Sequence, residues 1–438
     1  MSARPCKISN VKVFHMKFPN PLKNAPGWLG ILGTRQFWSF FGTGVIVSVA
    51  YIDPGNWGTS ISAGATFNYS LLWVIWLSSA MAMLFQYMSG KLGIAGYSLT
   101  ELIRLRWKNR YHVLAYWCLA EIAILATDLA EFLGIAVALN LLFGVPLAIG
   151  AIIALFDVLL LLFLTRKSFR SLEYAFIFFV SAIGLGYVYE LFITGPSLGP
   201  MIAGSIAPSL APGMMFLIVG IIGAVVMPHA LFVHSWLMKN KARQLGRTID
   251  GKTALEYHTI DTVFSLFIAA LINAAILIMA AAAFYSTGIP VATLEEAYRT
   301  LTPLFGPIAS IVFATALLFA GISSSITGTL AGQGIMDSLT DFKVSPTVRR
   351  LVTRVINLVP LLVAIGLNIE PLQILVYSQV ALSLLIPLPL IPLIYYTSKK
   401  EVMRGFVNRK ITTIAASAFG LIIIALNVYL LWQFFFPA

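Results

Sequence analysis

The sequence predicts an all-α polytopic membrane protein of eleven transmembrane helices, arranged as two inverted halves of five with one helix added. Three observations carry that prediction. Of the 438 residues, 59 % are hydrophobic and only 11 % charged, with a mean hydropathy of +0.89; soluble domains usually carry ~25 % charge. Apolar stretches long enough to cross a ~30 Å hydrocarbon core recur along the chain. The basic residues alternate between connections with a regularity that a wrong number of spans would destroy. The same composition excludes a cytosolic enzyme, a disulfide-stapled secreted protein and a disordered scaffold. Cys6 and Cys118 are too few and too far apart for a disulfide framework or a CxxC redox motif.

The spans are read at 38–66, 70–95, 112–141, 147–165, 171–194, 211–238, 259–287, 303–332, 351–368, 371–397 and 411–434. Each must be helical, or shielded by protein where it is not, because lipid offers its backbone no hydrogen bonds. Residues 1–37 read as a cytoplasmic tail without the apolar core and cleavage site of a secretory signal. Of the 29 Lys and Arg, all but Arg299 lie in that tail, in the connections after even-numbered spans or, for Lys91 and Arg354, near the adjoining span ends. The N-terminus is therefore expected in the cytoplasm and the C-terminus outside. The net charge of +12 flanks the cytoplasmic ends of spans, so no nucleic-acid partner is expected.

Two spans are interrupted. Span 1 contains Asp53-Pro54-Gly55-Asn56, and span 6 contains Met227-Pro228-His229. Proline removes a backbone donor and clashes with the preceding turn; a single one in a membrane helix ordinarily means a kink. Here the interruptions fall at similar depth in helices five apart, which therefore run in opposite directions. That pairing divides the chain into halves 38–194 (spans 1–5) and 211–397 (spans 6–10), with 411–434 added. Matching interrupted helices in two inverted halves point to a midplane substrate site of a secondary transporter.

The residues at the breaks suggest the substrate. Asp53 is a carboxylate within a span, where a charge costs roughly 2.5–3.5 kcal/mol on insertion scales and needs a cation or a proton. Asn56 adds an amide oxygen, the unwound Ala224 a carbonyl, and Met227 a thioether. Methionine is usually a core filler, but a soft sulfur among oxygens favours Mn²⁺, Fe²⁺ or Cd²⁺ over Ca²⁺ and Mg²⁺. Span 3 places Glu121, Asp128 and Glu131 within a sector of about 80°, as a proton route or a set of ion pairs would require. His229 lies beside the second break and has a side chain suited to titration near neutral pH. His234 follows on the same helix. Arg349 and Arg350 open span 9, as topology anchors or as partners for an acid such as Glu121. Gln379 lies inside span 10, a common place for interhelical glue. Asp157 and Asp261 show no partner in the sequence. An amino-acid carrier on the same scaffold, or a receptor without flux, remains an alternative; an enzyme is disfavoured because no second ligand cluster accompanies Met-Pro-His.

These motifs together resemble the Nramp (natural resistance-associated macrophage protein) family of proton-coupled divalent-metal transporters. The resemblance rests on Ala50–Asn56, Ala126–Gly134, Gly220–His229 with His234-Ser235, Gly328–Gly332, Ser378–Val380 and Ile424–Trp432, in family order from about residue 38 to the end. It implies the leucine-transporter-type 5+5 inverted repeat and Mn²⁺ or Fe²⁺ import driven by protons across the plasma membrane. It implies metal ligation by Asp53, Asn56, Ala224, Met227 and, in some conformations, Gln379. For protons it implies Asp53, Asp128, Glu131 and His229, with Glu121 paired near Arg349 and Arg350. The chain departs from the family at Trp57-Gly58-Thr59-Ser60, at Ala230 and at Lys241. Retention of Met227 argues against the magnesium-transporting branch. Metal and proton are cargo, so no resident cofactor is expected; the lipid bilayer is the remaining partner, and no obligate protein partner is expected.

Overall fold

The computed structural model describes residues 31, 34–156, 169–245, 249–286, 293–340, 342 and 344–436. Most of the N-terminal tail, the second half of span 4 with Asp157, and the basic residues Arg166, Lys167, Arg247 and Lys343 lie outside them. Among the described residues all regular structure is helical, and eight helices are long and apolar enough to cross a membrane. The helix Pro346–Gly366, read as span 9, has the length but carries three arginines, Arg349, Arg350 and Arg354.

Both expected breaks are present. Span 1 is divided into Thr43–Ala50 and Pro54–Phe67. The local reason is a helix start written into the sequence: Asp53 is extended (φ −69°, ψ 164°), its carboxylate accepts from Asn56 N, and Pro54 occupies the first helical position. Span 6 is divided into Met214–Val226 and Pro228–Leu245. Its single linking residue, Met227, has φ 37°, a left-handed conformation that a side chain adopts only under constraint from its surroundings. A third break was not separated in the sequence: span 10 runs as Pro371–Leu385 and Pro387–Thr397. Pro387 cannot donate to Ser383 O, and Asn427 Nδ2 of the last helix, Lys410–Phe435, donates there instead at 2.8 Å. Ser383 Oγ returns a bond to Asn427 Oδ1 at 2.8 Å.

Span 6 is the centre of the bundle. Of its most apolar stretch 94 % is buried, against 28 % in Glu173–Thr194 of span 5 and 22 % in Lys410–Phe435, so the latter two lie at the periphery of the bundle. Asp261, which the sequence left without a partner, accepts from Gly42 N (3.2 Å) and Gly44 N (2.9 Å) and so caps the first half of span 1. Outside the spans, Asp250 caps the helix Gly251–Ala280; hydrogen bonds from the Thr253 side chain and from Thr253 and Lys252 N hold its carboxyl below the usual range.

Close backbone approach sets the seam between spans 6 and 10. A methyl group on Gly223 would stand 2.0 Å from Gln379 O and 2.8 Å from Ser383 N. Both are backbone atoms, so the helices must separate to admit it. Gly223→Ala is expected to cost about 1–3 kcal/mol, visible as a lowered melting temperature in detergent; an unchanged midpoint would mean that the seam is looser than this packing.

Candidate metal site and its charged network

The two breaks meet. Asn56 Nδ2 donates both to Asp53 Oδ1 (2.8 Å) and to Ala224 O (2.9 Å), bridging the gap between spans 1 and 6. Asn56 N also donates to Asp53 Oδ1 at 2.8 Å. Asp53, Asn56, Ala224, Met227 and Gln379 are all at most 1 % exposed. Gln379 lies directly against Gly55, where a Cβ would fall 1.7 Å from its Nε2. The glycine of the Asp-Pro-Gly motif therefore admits the span 10 glutamine. Asp53 Oδ2 and Gln379 Oε1 have no hydrogen-bond partner among the described residues. An unsatisfied buried carboxylate oxygen costs free energy unless something occupies it. The site thus presents one carboxylate, a backbone carbonyl, two side-chain amides and a thioether. Among the described residues no three His, Cys, Asp or Glu side chains gather as a group able to hold a metal.

Two further buried side chains tie down the break in span 1. Asn273 of span 7 donates to Tyr51 O at 2.7 Å, satisfying a carbonyl of the unwound segment. Gln86 Nε2 donates to Tyr51 Oη at 2.6 Å, while Gln86 Oε1 pairs with His234 Nδ1 at 2.8 Å. His234 is therefore engaged with span 2 rather than with the metal-site residues. His229 Nδ1 pairs with Thr127 Oγ1 of span 3 at 3.1 Å, while its Nε2 has no partner among the described residues.

The three acids of span 3 all turn toward the arginines of span 9. Glu121 pairs with Arg349 at 2.6 Å and also accepts from Trp117 Nε1 at 3.1 Å. Arg350 goes elsewhere: it contacts Asp128 at 2.6 Å and Glu131 at 3.8 Å. Glu121, expected near Arg349 and Arg350, is thus paired with Arg349, while Arg350 takes Asp128. A third arginine was missed. Arg354, fully buried, donates to Asp128 O (3.1 Å) and Ser325 Oγ (2.9 Å) and stacks over Phe132. Its signal was available, since it follows Arg350 by four residues and so shares its helix face. Two guanidinium groups thus stand against Asp128 and Glu131 inside the bundle, which lets buried charge approach neutrality.

Comparison with known proteins identifies the family. The family model described as natural resistance-associated macrophage protein-like matches residues 44–433. Among similar proteins, the divalent metal cation transporter MntH of Listeria welshimeri is 43 % identical over 411 residues, covering 91 % of this chain and 90 % of that protein. MntH of Deinococcus radiodurans is 42 % identical over 409 residues, covering 93 % and 92 %. Among solved structures, the Eremococcus coleocola manganese transporter, in complex with an aromatic bis-isothiourea compound, superposes with a TM-score of 0.81. It is 32 % identical and covers 92 % of this chain and 90 % of its own. Mhp1, a nucleobase-cation-symport-1 family transporter, is 17 % identical with a TM-score of 0.61, a likeness of fold. With that family model matched from span 1 to the last helix, this chain belongs to the Nramp family.

Proposed function

We propose that this chain imports divalent transition-metal ions, Mn²⁺ and Fe²⁺ first and Cd²⁺ as well, together with protons, by alternating access across the plasma membrane. Transport of divalent metal cations through a membrane is the part carried by family membership and by the named relatives. The observation that carries the site is the orphaned Asp53 Oδ2, buried where the breaks of spans 1 and 6 meet beside Asn56, Ala224, Met227 and Gln379. A single charge among neutral ligands suits a site that must release its cargo: more carboxylates would hold the ion as a resident. In this reading a dehydrated ion replaces the Asn56 bridge between Asp53 and Ala224. Protons leave by way of His229 and span 3, where Asp128, Glu131 and Glu121 face Arg349, Arg350 and Arg354. The halves 38–194 and 211–397 act as the inverted repeats that exchange access, with the N-terminus in the cytoplasm.

The test is uptake into proteoliposomes of Mn²⁺, Cd²⁺, Ca²⁺ and Mg²⁺, with and without an inward proton gradient. The expected result is Mn²⁺ and Cd²⁺ uptake above Ca²⁺, with acidification of the lumen. Metal uptake without acidification removes the proton coupling; substrate-driven currents without metal would favour an organic-substrate carrier. Within this assay Met227→Ala is expected to slow Cd²⁺ most, on the order of tenfold, the factor ~1.4 kcal/mol supplies, and to narrow discrimination against Ca²⁺ because oxygen alone suits calcium. Unchanged selectivity would sink the role of the sulfur.

A further inference from the structure

Glu190 lies in span 5, four residues before its end at Thr194, and is 1 % exposed. None of the sequence motifs includes it. Neither carboxyl oxygen has a hydrogen-bond partner among the described residues. Tyr187 Oη, one turn earlier and within electrostatic reach, is a buried polar atom in the same condition, as is Trp57 Nε1 in the residue packed against Tyr187. The Trp57 indole meets the Tyr187 ring edge-on, with 5.2 Å between centroids. Trp57 directly follows Asn56, so the cluster adjoins the half-helix that begins at the metal site.

Among the described residues, the packed elements bring no counter-ion. Span 5 meets span 7 at Ile272 and span 8 at Val312 and Ala316, opposite Gly184 and Gly186. From these contacts outward, 272–286 of span 7 hold only Tyr285, which is exposed, 307–316 of span 8 hold no titratable or charged residue, and neither does Pro54–Phe67. Tyr187 is the titratable group facing Glu190 from its own helix. The first half of span 1 adds only Tyr51 and Asp53 at its end, and the hydrogen bonds of both go elsewhere.

An ionised carboxylate sealed in apolar and aromatic surroundings costs several kcal/mol, whereas the neutral acid costs far less. We propose that Glu190 is a proton-binding site that must be neutral for span 5 and the second half of span 1 to close together. A proton from the outer solution binds a Glu190 oxygen while the helices are apart, and closure buries the neutral acid. External acidity then promotes the closed state through a group outside both the metal site and the span 3 network. This rests on reading the chain as a transporter, but not on protons crossing with the metal.

The experiment measures Mn²⁺ uptake against external pH for wild type, Glu190→Gln and Glu190→Asp. Wild-type uptake should fall as external pH rises, while Glu190→Gln, always neutral, stays severalfold faster than wild type at the alkaline end. Glu190→Asp, which keeps a titrating carboxyl, should retain the wild-type slope. Superimposable profiles for wild type and Glu190→Gln would make the residue neutral packing and overturn the proposal. A folded Glu190→Gln that transports nothing while Glu190→Asp does would overturn it too, since the ionised form would then be the working one. A second readout needs no transport: the melting temperature of Glu190→Gln relative to wild type should rise as pH rises, because only wild type must then bury or neutralise a charge. A difference that is flat with pH counts against the site. If wild type moves no metal, the transport reading fails while this melting comparison still decides Glu190.

Discussion

Asp53→Ala is expected to abolish metal uptake, by at least about a hundredfold, the factor that ~2.7 kcal/mol of lost ion binding represents. The side chain has two separable tasks. Its Oδ1 accepts from the Asn56 amide and side chain, which caps the second half of span 1, and such a cap is worth about 1 kcal/mol. Its Oδ2, without a partner among the described residues, is the one negative oxygen free for a cation. Asp53→Asn keeps a good cap and removes the charge, so it should fold like wild type and still fail to transport. Proteoliposome uptake beside a detergent melting curve separates the two tasks. Uptake retained in both variants would place the substrate elsewhere.

Arg350→Leu is expected to be the most destabilising single change in the charged network. Arg350 is buried against Asp128 at 2.6 Å, with Glu131 at 3.8 Å, and it also bonds Ser325. Removing one partner of a buried pair leaves an uncompensated charge and costs roughly 3–5 kcal/mol. Arg354 donates to the Asp128 backbone carbonyl and lies within electrostatic reach of its carboxylate, so it offsets part of that loss without replacing the direct pair. Arg350→Lys should recover only part of it, because an ammonium cannot present the forked donors that span Asp128 and Ser325. Combining Arg350→Leu with Asp128→Leu should restore more stability than Arg350→Lys, since the pair is then removed whole. The check is the thermal midpoint in detergent; a single variant as stable as wild type would show that the pair is not buried in the membrane.

Much of the site was legible because its parts are local. Asp-Pro-Gly-Asn is a helix start read from four consecutive residues, and Met227 sits before a proline that cannot continue the helix. Span 10 resisted reading because its break at Pro387 is stitched by Asn427, a residue 44 positions from Ser383. Gln379 looked like interhelical glue, and only Gly55 and Gly223 explain why it reaches the site: each lacks the side chain that would exclude it. Glu190 passed unread because it is a lone acid in an apolar helix, and nothing in its own segment says whether it faces lipid, water or Trp57.

By itself the sequence determined the membrane class, the breaks in spans 1 and 6 and the donor types at those breaks. Each depends on the solvation or backbone chemistry of a few neighbouring residues, which is complete in the sequence. Tertiary structure alone decided which charge neutralises which. Arg350 meets Asp128 across 222 residues of chain, Arg349 meets Glu121 across 228, and Asp261 caps Gly44 across 217. A buried charge takes whichever partner helix packing brings within a few ångströms, and that packing is set by the small residues and shapes of several spans at once.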